Sequence, residues 1–234
     1  MRPVLVLPSS LGTTAELWDS NVPLWADSFR LLPYDQRGRS SVAELGEDLI
    51  ALMDEHGLER ASICGLSLGG ATAMWVAANA PERVDRLVLA CTSARFGEPE
   101  PWLERAAIVR EHGLEPIADG IVTRWFTTAA PSELVAPFRQ MLVETPQESY
   151  AACCEALARW DFRNHLAEIT APTLVIAAAE DPATPPEHAE LLAHGIPNAT
   201  LTALPDAAHL ANVERAEAFS TLIAEHLAPV KEVA

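Results

Sequence analysis

The stretch Ser62–Trp75, "SICGLSLGGATAMW", runs from apolar to glycine-punctuated to helix-like, and it sets Ser67 between Gly65 and Gly69. The pattern G-x-S-x-G places a serine on a strand-to-helix turn so tight that its flanking positions tolerate almost no side chain. An ordinary turn draws on the same residue types, since Gly and Ser are common in turns. By chance the pattern arises in roughly one chain of this length in ten. The rest of the chain has to decide whether Ser67 is a turn residue or a nucleophile.

The 234 residues are enough for one domain with an insertion, and 49 % hydrophobic residues argue against disorder. No apolar run approaches the ~20 residues of a membrane span. The start, "MRPVLVLPSS", holds too short an apolar block for a signal peptide, so a soluble, cytoplasmic protein is expected. Cys64, Cys91, Cys153 and Cys154 form no C-x-x-C pair and are expected to be buried free thiols. A net charge of −17 speaks against nucleic acid or an anionic membrane as partner.

Short apolar runs alternate with helical patterns. The strand candidates are 4–7, 29–34, 61–65, 86–91, 173–179 and 200–204, each without strict alternation, as strands covered on both faces require. Helices are expected over 42–56, 68–80, 186–194 and 211–227. In the first of these, Val42, Leu45, Leu49, Leu52 and Met53 form one stripe and Gly57 supplies the stop. Strand alternating with helix predicts an α/β fold with a mostly parallel sheet of about six strands. Between about 97 and 165 the alternation gives way to three or four helices with no strand. They are expected to form a helical cap over the carboxyl-end crevice of a core made of 1–96 and 166–234.

A nucleophile needs a base, and strand position separates the seven histidines. Only His209, in "LPDAAHLANVE", directly follows the last strand candidate, on the rim that carries Ser67. The base needs a carboxylate, and "TLVIAAAEDPATPP" ends a strand on that same rim with Glu180 and Asp181. Asp181 precedes Pro182, which disfavours helical backbone and suits a strand-exit loop. Ser67, Asp181 and His209 stand 114 and then 28 residues apart, in the order Ser, Asp, His. An oxyanion formed at Ser67 would take one hydrogen bond from the Leu68 N–H, at the start of a helix. The loop "PSSLGTT" offers the Leu11 N–H as the second, with Gly12 freeing the turn.

Together "SSLGTTAELWD", "YDQRG", "GLSLGG", "RWFT", "AEDPATPP" and "AAHLANVE" resemble the 3-oxoadipate enol-lactonases of the α/β-hydrolase superfamily. The likeness runs from about Val4 to Leu227 and includes "SYAACCEALARWDFR". Carried over by motif, the family's nucleophile falls on Ser67, its acid on Asp181 and its base on His209. In two respects the chain departs from the family pattern. Members usually begin with a further pair of strands, so two of the usual eight are missing here. After "YDQRG" they usually carry a longer loop, where this chain has "RSSVAELGEDL" at once.

The resemblance implies hydrolysis of 3-oxoadipate enol-lactone, in the β-ketoadipate route for aromatic compounds, with no metal and no organic cofactor. The rivals are a general carboxylesterase or other small-lactone hydrolase, and a hydrolase-fold binding protein with negligible turnover. An anionic lactone meeting a chain of charge −17 needs a local cation. Arg124 in "TRWFTT" is the first candidate to hold its carboxylate, with Trp125 to pack on the lactone ring and Arg37 or Arg95 next in line. A homo-oligomer is compatible with the sequence. Without the two extra strands, the strand "FRLLPY" should be an unpaired sheet edge, blunted by Pro33 and Arg30.

Overall fold

Six short apolar segments pair side by side, all parallel, in the computed structural model, which describes residues 2–228. They are β1 (Val4–Pro8), β2 (Arg30–Tyr34), β3 (Ala61–Leu66), β4 (Val84–Ala90), β5 (Thr173–Ala178) and β6 (Ala199–Leu204). Their order across the sheet is β2-β1-β3-β4-β5-β6. Every residue of β3 and β5 is buried, the signature of strands covered on both faces. Strand β2 pairs with β1 alone, with Leu7 opposite Pro33, and is the sheet edge expected from the sequence.

The helices are α1 (Val22–Trp25), α2 (Val42–Glu55), α3 (Leu68–Asn79), α4 (Pro99–His112) and α5 (Glu115–Val122), followed by α6 (Ser132–Glu144), α7 (Gln147–Arg159), α8 (Pro186–Gly195), α9 (Ala211–Glu214) and α10 (Ala216–Leu227). In α2, Ser41 caps the first turn by accepting from the Glu44 N–H, and Val42, Leu45, Leu49 and Met53 are buried. Helix α3 is apolar all round and buried nearly throughout, because it lies between the sheet and α2. Four helices, α4 to α7, fill the interval between β4 and β5. One expectation needs correction: 211–227 is not a single helix. The backbone leaves helical geometry at Arg215 (φ −126°, ψ 44°), whose guanidinium is held by Asp206 and the Pro205 carbonyl.

The four cysteines are free and buried. Burial pushes Cys153 up to about 11 and Cys154 up to about 12, so both stay neutral thiols.

Helices α2 and α3 pack together, and at Gly46 of α2 an added Cβ would enter the Trp75 ring, 2.8 Å from Cδ2. In a helix, Gly→Ala normally gains about 1 kcal/mol of propensity, whereas overpacking costs about 1–3 kcal/mol. The steric cost should win. Gly46→Ala is expected to lower stability by about 1–2 kcal/mol in urea unfolding, and a stabilised variant would show that the indole moves aside freely.

Candidate active site

Ser67 sits between β3 and α3 with φ 56° and ψ −116°, a left-handed conformation that side chains rarely adopt. The neighbouring glycines are what allow it. A Cβ on Gly65 would strike the Gly69 carbonyl, one on Gly69 would strike the Pro8 carbonyl, and one on Gly70 would lie 2.6 Å from Thr92 Cβ. The strained turn is tied down on both sides. The Ser67 N–H donates to the Ala90 carbonyl at 3.0 Å, and the Thr92 hydroxyl donates to the Ser67 carbonyl at 2.6 Å.

His209 and Asp181 meet on the same rim. His209 Nδ1 lies 2.8 Å from Asp181 Oδ2, with the two side chains 5 % and 0 % exposed. An ionised carboxylate can only accept, so Nδ1 carries the proton and Nε2 is left as the basic nitrogen. Burial works to raise the Asp181 pKa. Electrostatic attraction to the His209 ring and the hydrogen bonds from His209 and Thr184 outweigh it, holding the carboxyl below its ordinary range. Thr184 donates its hydroxyl to Oδ2 at 2.6 Å, while the Ala183 and Thr184 N–H groups donate to Oδ1 at 2.7 and 3.0 Å. Glu180, the sequence rival, is exposed.

Ser67 and His209 line one cavity with Ser10, Leu11, Arg105, Arg124 and Trp125. Among the described residues no hydrogen bond joins Ser67 to His209, a contact that commonly tightens only when substrate binds. Leu68 opens α3, where an N–H has no acceptor within the helix. The Leu11 N–H donates no backbone hydrogen bond among the described residues. Its loop is shaped from within: Ser10 N–H donates to Thr13 Oγ1 at 2.9 Å, and Gly12 has φ 75°. Gln36 clamps the loop from outside, donating to the Ser9 carbonyl while accepting from the Thr72 hydroxyl. Among the described residues, no group of three or more His, Cys, Asp or Glu side chains is arranged to hold a metal ion.

Arg124 and Trp125 both reach the cavity, and the segment that bears them is stitched to the loops that carry His209 and Asp181. The Leu210 N–H donates to the Trp125 carbonyl at 2.9 Å, and an Arg124 Nη donates to the Pro182 carbonyl at 3.2 Å. Glu214 bridges the two segments: Oε2 accepts from the Ala208 N–H (2.8 Å), and Oε1 from the Thr127 N–H (2.9 Å) and hydroxyl (2.7 Å). The other two candidate cations are engaged elsewhere. Arg37 pairs with Asp35 at 2.9 Å beside a different cavity, and Arg95 pairs with Glu98 at 2.8 Å. Sequence reading missed Arg105. It lies mid-helix in α4 with no motif to mark it, and only the folding of α4 over the sheet brings it to Ser67. It also missed the bridging role of Glu214, although Glu214 closes the quoted "HLANVE".

The profile of the "Alpha/beta hydrolase family" matches residues 4–222. The chain is 39 % identical to a 3-oxoadipate enol-lactonase of Acinetobacter baylyi, over 94 % of this chain and 86 % of that one. Among solved structures, it superposes on the enol-lactonase from Burkholderia xenovorans with a TM-score of 0.93 and 36 % identity, covering 97 % and 92 % of the two chains. It superposes on a thermophilic esterase from Thermogutta terrifontis, with malate bound, at a TM-score of 0.91 and 28 % identity, covering 96 % and 89 %. The chain belongs to the alpha/beta hydrolase family, in the branch that contains the enol-lactonases, and it is an enzyme.

Glu214 accepts three hydrogen bonds, and hydrogen bonds to a charged group contribute about 1.5–3 kcal/mol each before competing losses. Glu214→Ala is expected to destabilise the fold by about 2 kcal/mol or more in urea unfolding. A change within about 0.5 kcal/mol, as at an ordinary surface position, would mean that the bridge is dispensable.

Proposed function

We propose that this hydrolase opens 3-oxoadipate enol-lactone to 3-oxoadipate, a step of the β-ketoadipate route, with Ser67 as nucleophile, His209 as base and Asp181 as its orienting acid. The observation that carries the reading is the buried His209–Asp181 pair at 2.8 Å, whose histidine lines the cavity that also holds the strained Ser67. The relatives named enol-lactonase support the choice of substrate. In this reading residues 97–165 act as a cap over a core of 1–96 and 166–234.

His209 Nε2 takes the Ser67 proton as Oγ attacks the lactone carbonyl. The Leu68 and Leu11 N–H groups donate to the oxyanion, reinforced by the start of α3. Collapse breaks the ring C–O bond and expels an enol oxygen, which His209 protonates. The enol is a better leaving group than a simple alkoxide because its charge is delocalised, and its conversion to the ketone discourages reclosure. The acyl group stays on Ser67. Water, deprotonated by His209, then attacks it and releases the second carboxylate. Arg124 holds the carboxylate already present in the lactone, and Trp125 packs beside the ring.

Turnover of the enol-lactone beside a neutral p-nitrophenyl ester tests the substrate. A kcat/KM no higher for the enol-lactone would favour a general carboxylesterase. Ser67→Ala should lower turnover by about 10⁴-fold or more while circular dichroism stays native. A variant within tenfold of wild type would remove Ser67 from the role.

The acid is tested separately. Asp181→Asn should be crippled, because an amide can leave the histidine in the wrong tautomer, whereas Glu180→Gln should be close to normal. The reverse ranking would transfer the role to Glu180.

A further inference from the structure

Most arginines of this chain are held by a carboxylate, among them Arg39, Arg83, Arg110 and Arg139. With 33 Asp and Glu residues against 16 Lys and Arg, partners are plentiful. Arg105 and Arg124 are different. Neither makes an ion pair among the described residues, and both line the cavity of Ser67 and His209. Burial and then the like charge of Arg105 disfavour the charged form of Arg124, yet a guanidinium does not give up its proton in a protein. The carboxylate whose field reaches Arg124 is Asp181, and its oxygens are taken by His209, Ala183 and Thr184. Two like charges thus face one small space with no anion between them.

Both guanidiniums are nevertheless oriented, by contacts that leave their charge uncompensated. Arg105 Cζ stands 4.6 Å from the Trp102 ring centroid, and the Trp102 Nε1–H donates to the Phe96 carbonyl at 2.8 Å, which fixes the ring. Arg124 is held by the Pro182 carbonyl. Tyr150 lines the same cavity, and burial raises its pKa so far that its hydroxyl stays protonated and able to donate. Arg105 and Ile121 also form the wall between this cavity and an outer groove of about 450 Å³ along α4 and α5, lined by Pro101, Ile108 and Ile117. The cavity itself encloses only about 50 Å³.

We propose that Arg105 is a specificity-determining residue: with Arg124 it clamps one carboxylate of the ester or lactone substrate, its second guanidinium excluding neutral esters by relative affinity. This rests on the assignment of the Ser67 cavity as the substrate site. A carboxylate lying between the two guanidiniums cancels their repulsion, so an anion gains more here than from either arginine alone. A neutral ligand leaves the repulsion in place.

The test compares hexanoate with its neutral isostere hexanamide as inhibitors of p-nitrophenyl acetate hydrolysis. Hexanoate should compete better by about tenfold to a hundredfold, the range for a charge-assisted contact. Arg105→Gln should cut that preference by about tenfold, leaving what Arg124 alone supplies, and Arg105→Lys should fall between, with melting temperatures recorded to show that both variants fold. Equal inhibition by hexanoate and hexanamide in wild type, or a preference untouched by Arg105→Gln, would overturn the clamp. If neither the p-nitrophenyl ester nor the enol-lactone is turned over, the hydrolytic role of Ser67 fails. Calorimetric titration of the Ser67→Ala protein with the same two compounds then decides the clamp by itself.

Discussion

One close approach governs this molecule: the first turn of α3 lies against the end of β1 with no room for a side chain at Gly69. Backbone carbonyls, which cannot swing away, supply the contact, so the constraint is rigid. It fixes the turn in which Ser67 takes its positive φ, at the start of α3, where the first N–H groups have no acceptor within the helix. The sheet order then does the rest. With β1 and β3 adjacent and β5 and β6 two and three places from β3, the strand ends carrying Ser67, Asp181 and His209 open on one side of one sheet.

Features set by local chemistry were legible in the sequence. The strand runs, the stop at Gly57 and the G-x-S-x-G turn follow from short-range sterics and hydrogen bonding, and each is found where its residues predict. The meeting of Asp181 with His209 could be read because each directly follows a strand of a parallel sheet, which fixes the rim on which it emerges. Arg105 could not. Its position depends on how four consecutive helices pack across the crevice, and α4 carries no periodic or motif signal that distinguishes one of its arginines from another. The break at Arg215 was hidden for a related reason: its guanidinium is held by Asp206 and the Pro205 carbonyl, and Glu214 beside it reaches Thr127, partners that all lie outside the helix. Long-range polar contacts of this kind have no sequence period.

The chain separates two electrostatic tasks. The chain as a whole is strongly negative, and most of its surface arginines are paired with carboxylates in exposed ion pairs that each add little to stability. Around the cavity the rule is reversed. Asp181, behind His209, has four donors, whereas the two guanidiniums that line the cavity have a tryptophan face and a carbonyl.

The stitches between 124–127 and 208–214 carry a mechanical consequence. The Trp125 carbonyl holds the residue after His209, and Glu214 holds the residue before it, each with its other end in the segment below α5. Lifting that segment to enlarge a 50 Å³ cavity therefore pulls on both flanks of the histidine at once. The segment 124–127 and the loop around His209 are thus tied into one mechanical unit, in which a displacement of either is passed to the other.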